Sequence, residues 1–102
     1  MLAFNRFRVA PDAEPTFRSR ADAVVAFFLT RAGCVSAELV RNLDEPNLWA
    51  IASRWENVGS YRRSFNSYDA KMVLVPLLSE AVDEPGAFAH PDEVGTNLPR
   101  DL

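Results

Sequence analysis

The stretch SRWENVGSYRRSF, residues 53 to 65, holds three aromatic residues whose types and spacing could serve chemistry. Trp55 ends a predicted strand, and Tyr61 and Phe65 follow at helical spacing. An indole N–H and a phenolic O–H are hydrogen-bond donors on apolar bodies, so these side chains could line a pocket. The same rings could be ordinary core, and the sequence leaves both interpretations open.

A polar residue stands on one face of the first predicted strand. Asn5 alternates with Ala3, Phe7 and Val9, which predicts that its side chain points toward the helices. Asn is disfavoured in strands, and a buried amide needs hydrogen-bond partners. The sequence leaves open whether Asn5 binds a substrate or makes a structural hydrogen bond.

Other candidate residues have plainer interpretations. Phe65, Tyr68 and Met72 continue one face of the second predicted helix and could be pocket walls or core. His90 has no second His, Cys or acidic cluster at ligand spacing, so we expect a solvated or dimer-contact side chain and no metal. Cys34 has no His near it in the sequence, and we expect an inert thiol. No cofactor is predicted.

The elements that must position these residues begin with a strand over residues 2 to 9. Pro15 suits the first turn of an amphipathic helix, and Gly33 is expected to supply its C-terminal cap. Residues 35 to 43 and 48 to 55 flank the turn sequence DEPN, which predicts a β-hairpin.

The second half of the chain is less regular. Asn57 can cap a second helix that begins near Val58, with breaks or kinks expected at residues 66 to 67 and at Pro76. The segment GAFAH is a candidate short strand. Residues 91 to 102 are expected to form a loosely ordered C-terminal arm.

This order of elements predicts an α+β, ferredoxin-like βαββαβ domain over residues 1 to 90, with both helices on one face of an antiparallel sheet. The opposite sheet face is partly apolar. Because soluble monomers seldom expose such a face, we expect a homodimer through it. Arg6, Arg8, Glu38 and Arg54 are candidates to meet across that interface.

Composition and charge argue against some classes of binding partner and indicate where the protein is located. The chain has 102 residues, 48% of them hydrophobic, and a formal net charge of -3. Its Arg residues are scattered, which argues against nucleic acid as a partner. The longest apolar stretches, AVVAFFL and MVLVPLL, are far shorter than the ~20 residues of a membrane span. With no export signal and one cysteine, a cytoplasmic location is expected.

The segment GCVSAELVRNLDEPNLWAIASRWENVGSYRR resembles the antibiotic biosynthesis monooxygenase family, whose members are dimeric α/β barrels. The resemblance lies in a hairpin, a strand-ending Trp-Glu and a helical aromatic residue six positions after the Trp, and it extends from residue 2 to about residue 82. It implies a monooxygenase that oxidises an aromatic or polyketide-like molecule with O₂, without metal or flavin. Trp55 and Tyr61 match the family's Trp and Tyr.

Ile51 departs from that pattern, because the resemblance implies an Asn four residues before the Trp. Ile51 can neither orient a carbonyl nor exchange a proton, so it would only contact the substrate, and Asn5 could stand in for the missing amide. The departure keeps a second interpretation open, in which the dimer binds a hydrophobic small molecule or is an accessory subunit without catalysis.

The resemblance also covers enzymes that degrade heme, and these carry an Asn near the start of the first strand, as Asn5 does here. They also need a His ligand and a further Trp on the second helix. Residues 58 to 82 contain no His, and Ser64 stands near the position of that Trp. The sequence therefore argues against heme degradation.

Overall fold

The computed structural model of the protein describes residues 1–95. Its elements follow the predicted order and begin with a strand, a short 3-10 turn and a long helix. In chain order they are β1 (Leu2–Arg8), the turn Pro11–Ala13, α1 (Glu14–Leu29), β2 (Cys34–Arg41), β3 (Leu48–Trp55), α2 (Val58–Arg63), α3 (Tyr68–Leu78), β4 (Ala87–Phe88) and α4 (Pro91–Gly95).

The four strands form one antiparallel sheet in the order β2-β3-β1-β4. This confirms the ferredoxin-like α+β fold predicted from the order of the elements. In the register between β1 and β3, Asn5 lies opposite Ile51 and Ala3 lies opposite Ser53. The first and third strands are therefore neighbours at the centre of the sheet, with the candidate residues on both.

The core lies between one sheet face and helices α1 and α3. Strand β3 shows why, because its burial alternates with a period of two. Its inner side chains are buried and the outer ones are half-buried or exposed. The buried residues of the core cluster are Phe7, Val9, Phe17, Ala21, Val24, Phe28, Trp49, Ile51, Trp55, Ala70, Leu74 and Leu77.

The prediction that Gly33 caps α1 is wrong. Helix α1 ends at Leu29, and the cap position is Thr30, whose hydroxyl donates to the carbonyl of Phe27 at 2.6 Å. Gly33 lies in the turn that leads into β2, with a φ of 86° that L side chains rarely adopt. A side chain there would also collide with Ser60 of α2, so this position requires glycine for two reasons.

The second predicted helix is two helices, α2 and α3, and the break falls at Asn66–Ser67 as expected. Pro76, by contrast, lies inside α3, which continues to Leu78. The prediction that Tyr68 and Met72 share the face of Tyr61 and Phe65 is wrong, because Tyr61 and Phe65 pack against the core while the other two lie in solvent. Their side chains are 75% and 60% exposed.

The segment GAFAH contains β4, which pairs with β1 as the edge strand of the sheet. Residues 91–95 form the short helix α4, where the sequence predicted only a loose arm, and the rest of that predicted arm lies outside the described residues. None of the helices found in residues 1–95 has the length and apolar character to cross a membrane.

Candidate functional site

Four aromatic rings from α1, β3, α2 and the α2–α3 connection form one cluster against the inner sheet face. The Phe28 ring lies 5.3 Å from Trp55, 6.4 Å from Tyr61 and 6.3 Å from Phe65, measured between centroids. Tyr61 in turn lies 5.6 Å from Trp55 and 5.1 Å from Phe65. Most of these pairs meet edge to face, the arrangement that ring quadrupoles favour. The structure thus brings the three aromatic residues of the opening stretch together.

Strand β3 holds Trp55 on the sheet side of this cluster, against the rings of Phe28 and Tyr61. Its side chain is 1% exposed, and its indole N–H donates to the hydroxyl oxygen of Ser53 at 2.9 Å. The main chain is held too, since the Trp55 N–H donates to the carbonyl of Met1 at 2.8 Å. The indole therefore has one defined orientation in which its polar edge points back along its own strand.

Helix α2 positions Tyr61. The Asn57 side chain caps the helix by accepting from the Ser60 N–H at 2.8 Å, which fixes the first turn. Burial raises the pKa of the Tyr61 phenol above 10.0, and a smaller effect of the Asn5 side chain opposes that rise. Tyr61 is therefore a protonated donor at neutral pH, with the Asn5 amide close to it.

Asn5 places a polar group on the inner face of the sheet, next to the aromatic cluster. Its amide nitrogen is buried and makes no hydrogen bond of normal geometry within residues 1–95, although the Asn5 side chain lies near enough to the Tyr61 phenol to oppose the rise of its pKa. Buried donors are almost always paired, since leaving one unpaired costs about 1–3 kcal/mol. Asn5 lies directly opposite Ile51, which is fully buried. The resemblance implies an Asn at the position of Ile51. An amide is present instead on the neighbouring strand, on the same face of the sheet.

The other predicted wall residues separate into two groups. Phe65 belongs to the aromatic cluster and is half-buried, while Tyr68 and Met72 lie on the exposed side of α3. That any of them contacts a substrate stays a prediction. Ser53 also lies in this region and is not among the residues predicted from the sequence. The sequence does hold a sign of it, because Ser53 is the one polar residue that alternates with Trp49, Ile51 and Trp55 on the inner face of β3.

Cys34 and His90 lie apart from the cluster. Partial burial raises the pKa of the Cys34 thiol, which keeps it protonated at neutral pH. His90 is exposed, and its Nδ1 lies 3.5 Å from a carboxylate oxygen of Asp92. Among the described residues, no three His, Cys, Asp or Glu side chains are grouped so that they could hold a metal ion.

A sequence model of the antibiotic biosynthesis monooxygenase family matches residues 1–73, which is most of the chain and includes the whole aromatic cluster. The chain belongs to the antibiotic biosynthesis monooxygenase family. The match ends within α3, so the family's sequence pattern covers the strands and helices that carry Asn5, Trp55 and Tyr61. A search of curated proteins found no match.

Solved structures of this monooxygenase family and its fold relatives resemble the chain. SnoaB from Streptomyces nogalater, a cofactor-independent oxygenase, is 26% identical with a TM-score of 0.74, and the match covers 96% of this chain and 95% of SnoaB. A conserved protein from Methanosarcina mazei Go1 is 22% identical with a TM-score of 0.69, covering 84% of each chain. Rv0793 from Mycobacterium tuberculosis is 21% identical with a TM-score of 0.68, covering 87% of this chain and 92% of that one. The last two show the fold alone.

The site thus combines apolar rings with a small set of donors. The Asn5 amide and the Tyr61 phenol can both donate to an oxygen atom, and the cluster around them is largely shielded from water. Donors in such a dry environment stabilise negative charge more strongly than they do in water. The arrangement can stabilise negative charge on an oxygen atom that contacts both donors.

Proposed function

We propose that this protein is a cofactor-independent monooxygenase that oxidises an aromatic or polyketide-like small molecule with O₂. The observation that carries the proposal is the buried, unpartnered amide of Asn5 beside the protonated Tyr61, in a family whose model covers both residues. An unpaired buried donor lowers stability, so its presence is best explained by a ligand oxygen that it receives during the reaction.

The chemistry needs little from the protein beyond charge stabilisation. An anthrone or polycyclic phenol loses a proton to give an electron-rich anion, and this anion transfers an electron to O₂. Recombination forms a carbon–oxygen bond, and loss of water then leaves a quinone carbonyl. One oxygen atom of O₂ enters the product and the other leaves in water. The two hydrogens of that water come from the substrate: both from the methylene carbon of an anthrone, or one from the ring carbon and one from the hydroxyl of a phenol.

The candidate catalytic residues divide this work. Asn5 and Tyr61 donate to the substrate oxygen on which the negative charge develops, and they lower the energy of the anion. Trp55 forms the rigid base of the cluster. Ile51 and Phe65 supply apolar surface for the substrate rings, and Tyr68 and Met72 would contact only a part of the substrate that reaches the outside of α3.

Oxygen uptake by metal-free and flavin-free protein over a panel of anthrones and polycyclic phenols tests this function. We expect catalysed uptake by the wild type and about a hundredfold loss in Asn5→Ala and in Tyr61→Phe, the effect of removing one donor to a developing oxyanion. Uptake that is unchanged in both variants would remove their assigned roles.

A second function is favoured by one observation, the fully buried Ile51 at the position where the resemblance implies Asn. With an apolar residue there, the protein could bind a hydrophobic aromatic molecule or assist another enzyme without catalysis. Tight binding of the phenols in the same panel with no oxygen consumption would favour this function over the first.

Both functions are proposed for a homodimer formed through the outer sheet face. This face carries Leu2, Phe4, Ala52 and the half-exposed Phe88, whose ring meets Phe4 at 6.0 Å between centroids. A shallow groove of about 280 Å³ crosses it. Two arginines of the face form ion pairs within the chain, Arg6 with Glu84 and Arg8 with Glu45. This pairing lowers the desolvation penalty of burying the two arginines in an interface. The predicted contacts of Glu38 and Arg54 across the interface belong to the same proposal.

A further inference from the structure

Ser53 is a buried hydroxyl that the proposed mechanism has not used. Its residue is 3% exposed, and its oxygen accepts the indole N–H of Trp55 at 2.9 Å. The two residues are two positions apart on β3, so both side chains point to the inner face of the sheet. The indole N–H is therefore occupied by the protein and is not presented to a ligand.

The cross-strand neighbours of Ser53 offer its hydrogen no side-chain acceptor. The residues opposite it in the sheet are Ala3 on β1 and Ala37 on β2, whose methyl groups can neither donate nor accept. Within residues 1–95, the Ser53 oxygen takes part in the bond from Trp55 and donates to no protein group. Since a hydroxyl is one donor and two acceptor sites, the O–H of Ser53 is a buried donor with no acceptor among residues 1–95.

The sheet register places this O–H beside the other donors of the site. Ser53 is the next inner-facing residue after Ile51 on β3, and Ile51 lies opposite Asn5, so Ser53 and Asn5 are diagonal neighbours. Such neighbours are about 7–8 Å apart, a distance that one ligand oxygen between them can span with two hydrogen bonds. A hydroxyl that accepts from an N–H also becomes a better donor, because hydrogen-bonded chains polarise one another.

We propose that Ser53 is a further catalytic residue, that its hydroxyl donates to the substrate oxygen, and that Trp55 is a positioning residue acting through it. The inference rests on the proposed function and changes the role of Trp55 within it. The indole N–H orients and polarises the Ser53 hydroxyl, and the substrate oxygen is the final acceptor of the chain from Trp55 through Ser53.

Titration of bound alizarin, a hydroxyanthraquinone whose colour reports its ionisation, separates direct from indirect donation. Donors to its phenolate lower the pH at which the dye ionises, and we expect the wild type to do so relative to free dye. Loss of one donor in Ser53→Ala should raise that midpoint by about one pH unit. Ser53→Thr keeps the hydroxyl and should stay near the wild type. Trp55→Phe should raise the midpoint in the wild-type background and add nothing in Ser53→Ala.

Ser60→Ala is the matched control, because Ser60 is also a buried serine but packs against Gly33, outside the aromatic cluster. Thermal unfolding of every variant shows which of them fold. If Ser53→Ala does not fold, Ser53→Cys carries the test, because its thiol has a similar shape but donates only weakly and should also raise the midpoint. A midpoint unchanged by loss of the Ser53 hydroxyl but raised by Trp55→Phe would overturn the inference and make the indole the direct donor. If the wild type itself leaves the dye's midpoint unshifted, the proposed function fails and the inference fails with it.

Discussion

At the scale of single residues, Asn5 is where stability and function oppose each other. Its buried amide nitrogen has no partner in the described part of the chain, so an apolar residue of suitable shape should pack better there. We predict that Asn5→Val raises the free energy of unfolding by about 1 kcal/mol and lowers catalysed oxygen uptake about a hundredfold. Urea unfolding measures the first effect and an oxygen electrode the second. A loss of stability would show instead that Asn5 makes a structural hydrogen bond.

The phenol of Tyr61 gives a prediction about pH. Burial raises its pKa above 10.0, which means that the folded protein holds the proton more tightly than the unfolded chain does. The stabilisation is complete below about pH 10 and is lost as the pH rises through the higher folded pKa. In Tyr68→Phe, Tyr61 is the one remaining tyrosine, and its ultraviolet titration should have a midpoint above 10.0. A midpoint at or below that value would contradict the burial of the phenol.

The sequence predicted the aromatic part of the site better than the polar part. Alternation and helical spacing suffice to place Trp55, Tyr61 and Phe65 near one another, because these periods decide which way a side chain points. One fact depended on register between strands, since Asn5 lies opposite Ile51, and another depended on a side-chain rotamer within β3, since Ser53 accepts the indole N–H. A period of two identifies the face of a strand, but it does not say which residues of two strands are neighbours.

At the scale of elements, α2 is the part of the fold on which the position of Tyr61 depends. The helix has six residues, and its first turn is held by the Asn57 cap. We predict that Asn57→Ala costs about 1 kcal/mol of stability and lowers kcat/KM by displacing Tyr61. Chemical unfolding and steady-state kinetics measure the two effects.

Ser67→Ala is the matched control for that variant, because Ser67 caps α3 by accepting from the Ala70 N–H at 3.0 Å. It should cost a similar amount of stability and leave kcat/KM near the wild-type value. Equal kinetic losses in the two variants would show that general loosening of the helices, and not the position of Tyr61, causes the effect.

The predicted elements agree with the structure where one clear sequence pattern extends over a whole segment. The hairpin and α1 follow from turn residues and an apolar face, and both are found. The errors lie at junctions. Apolar residues at helical spacing lie on both sides of the break between Phe65 and Tyr68, so the spacing alone predicts one continuous face there. Gly33 was assigned to the nearest helix end, whereas close contact with Ser60, a residue distant in sequence, explains the glycine.

At the scale of the whole molecule, the outer sheet face yields a prediction about assembly. We expect the wild type to be a dimer by sedimentation equilibrium. Phe88→Glu places a charge on the apolar part of the face, and should weaken the dimer at least about tenfold because the charge must be desolvated on association. Tyr68→Glu, a similar change on the exposed side of α3, should leave the dimer intact. A monomeric wild type would contradict the proposed interface.

Labelled oxygen tests the account most directly. Metal-free and flavin-free wild-type protein is supplied with the anthrone that gives the fastest uptake, under ¹⁸O₂, and the product is analysed by mass spectrometry. We predict a quinone that carries one ¹⁸O atom and forms about a hundredfold more slowly in Asn5→Ala and in Tyr61→Phe. A product without label, or labelled product formed equally fast by both variants, would contradict the claim that this site catalyses a monooxygenation.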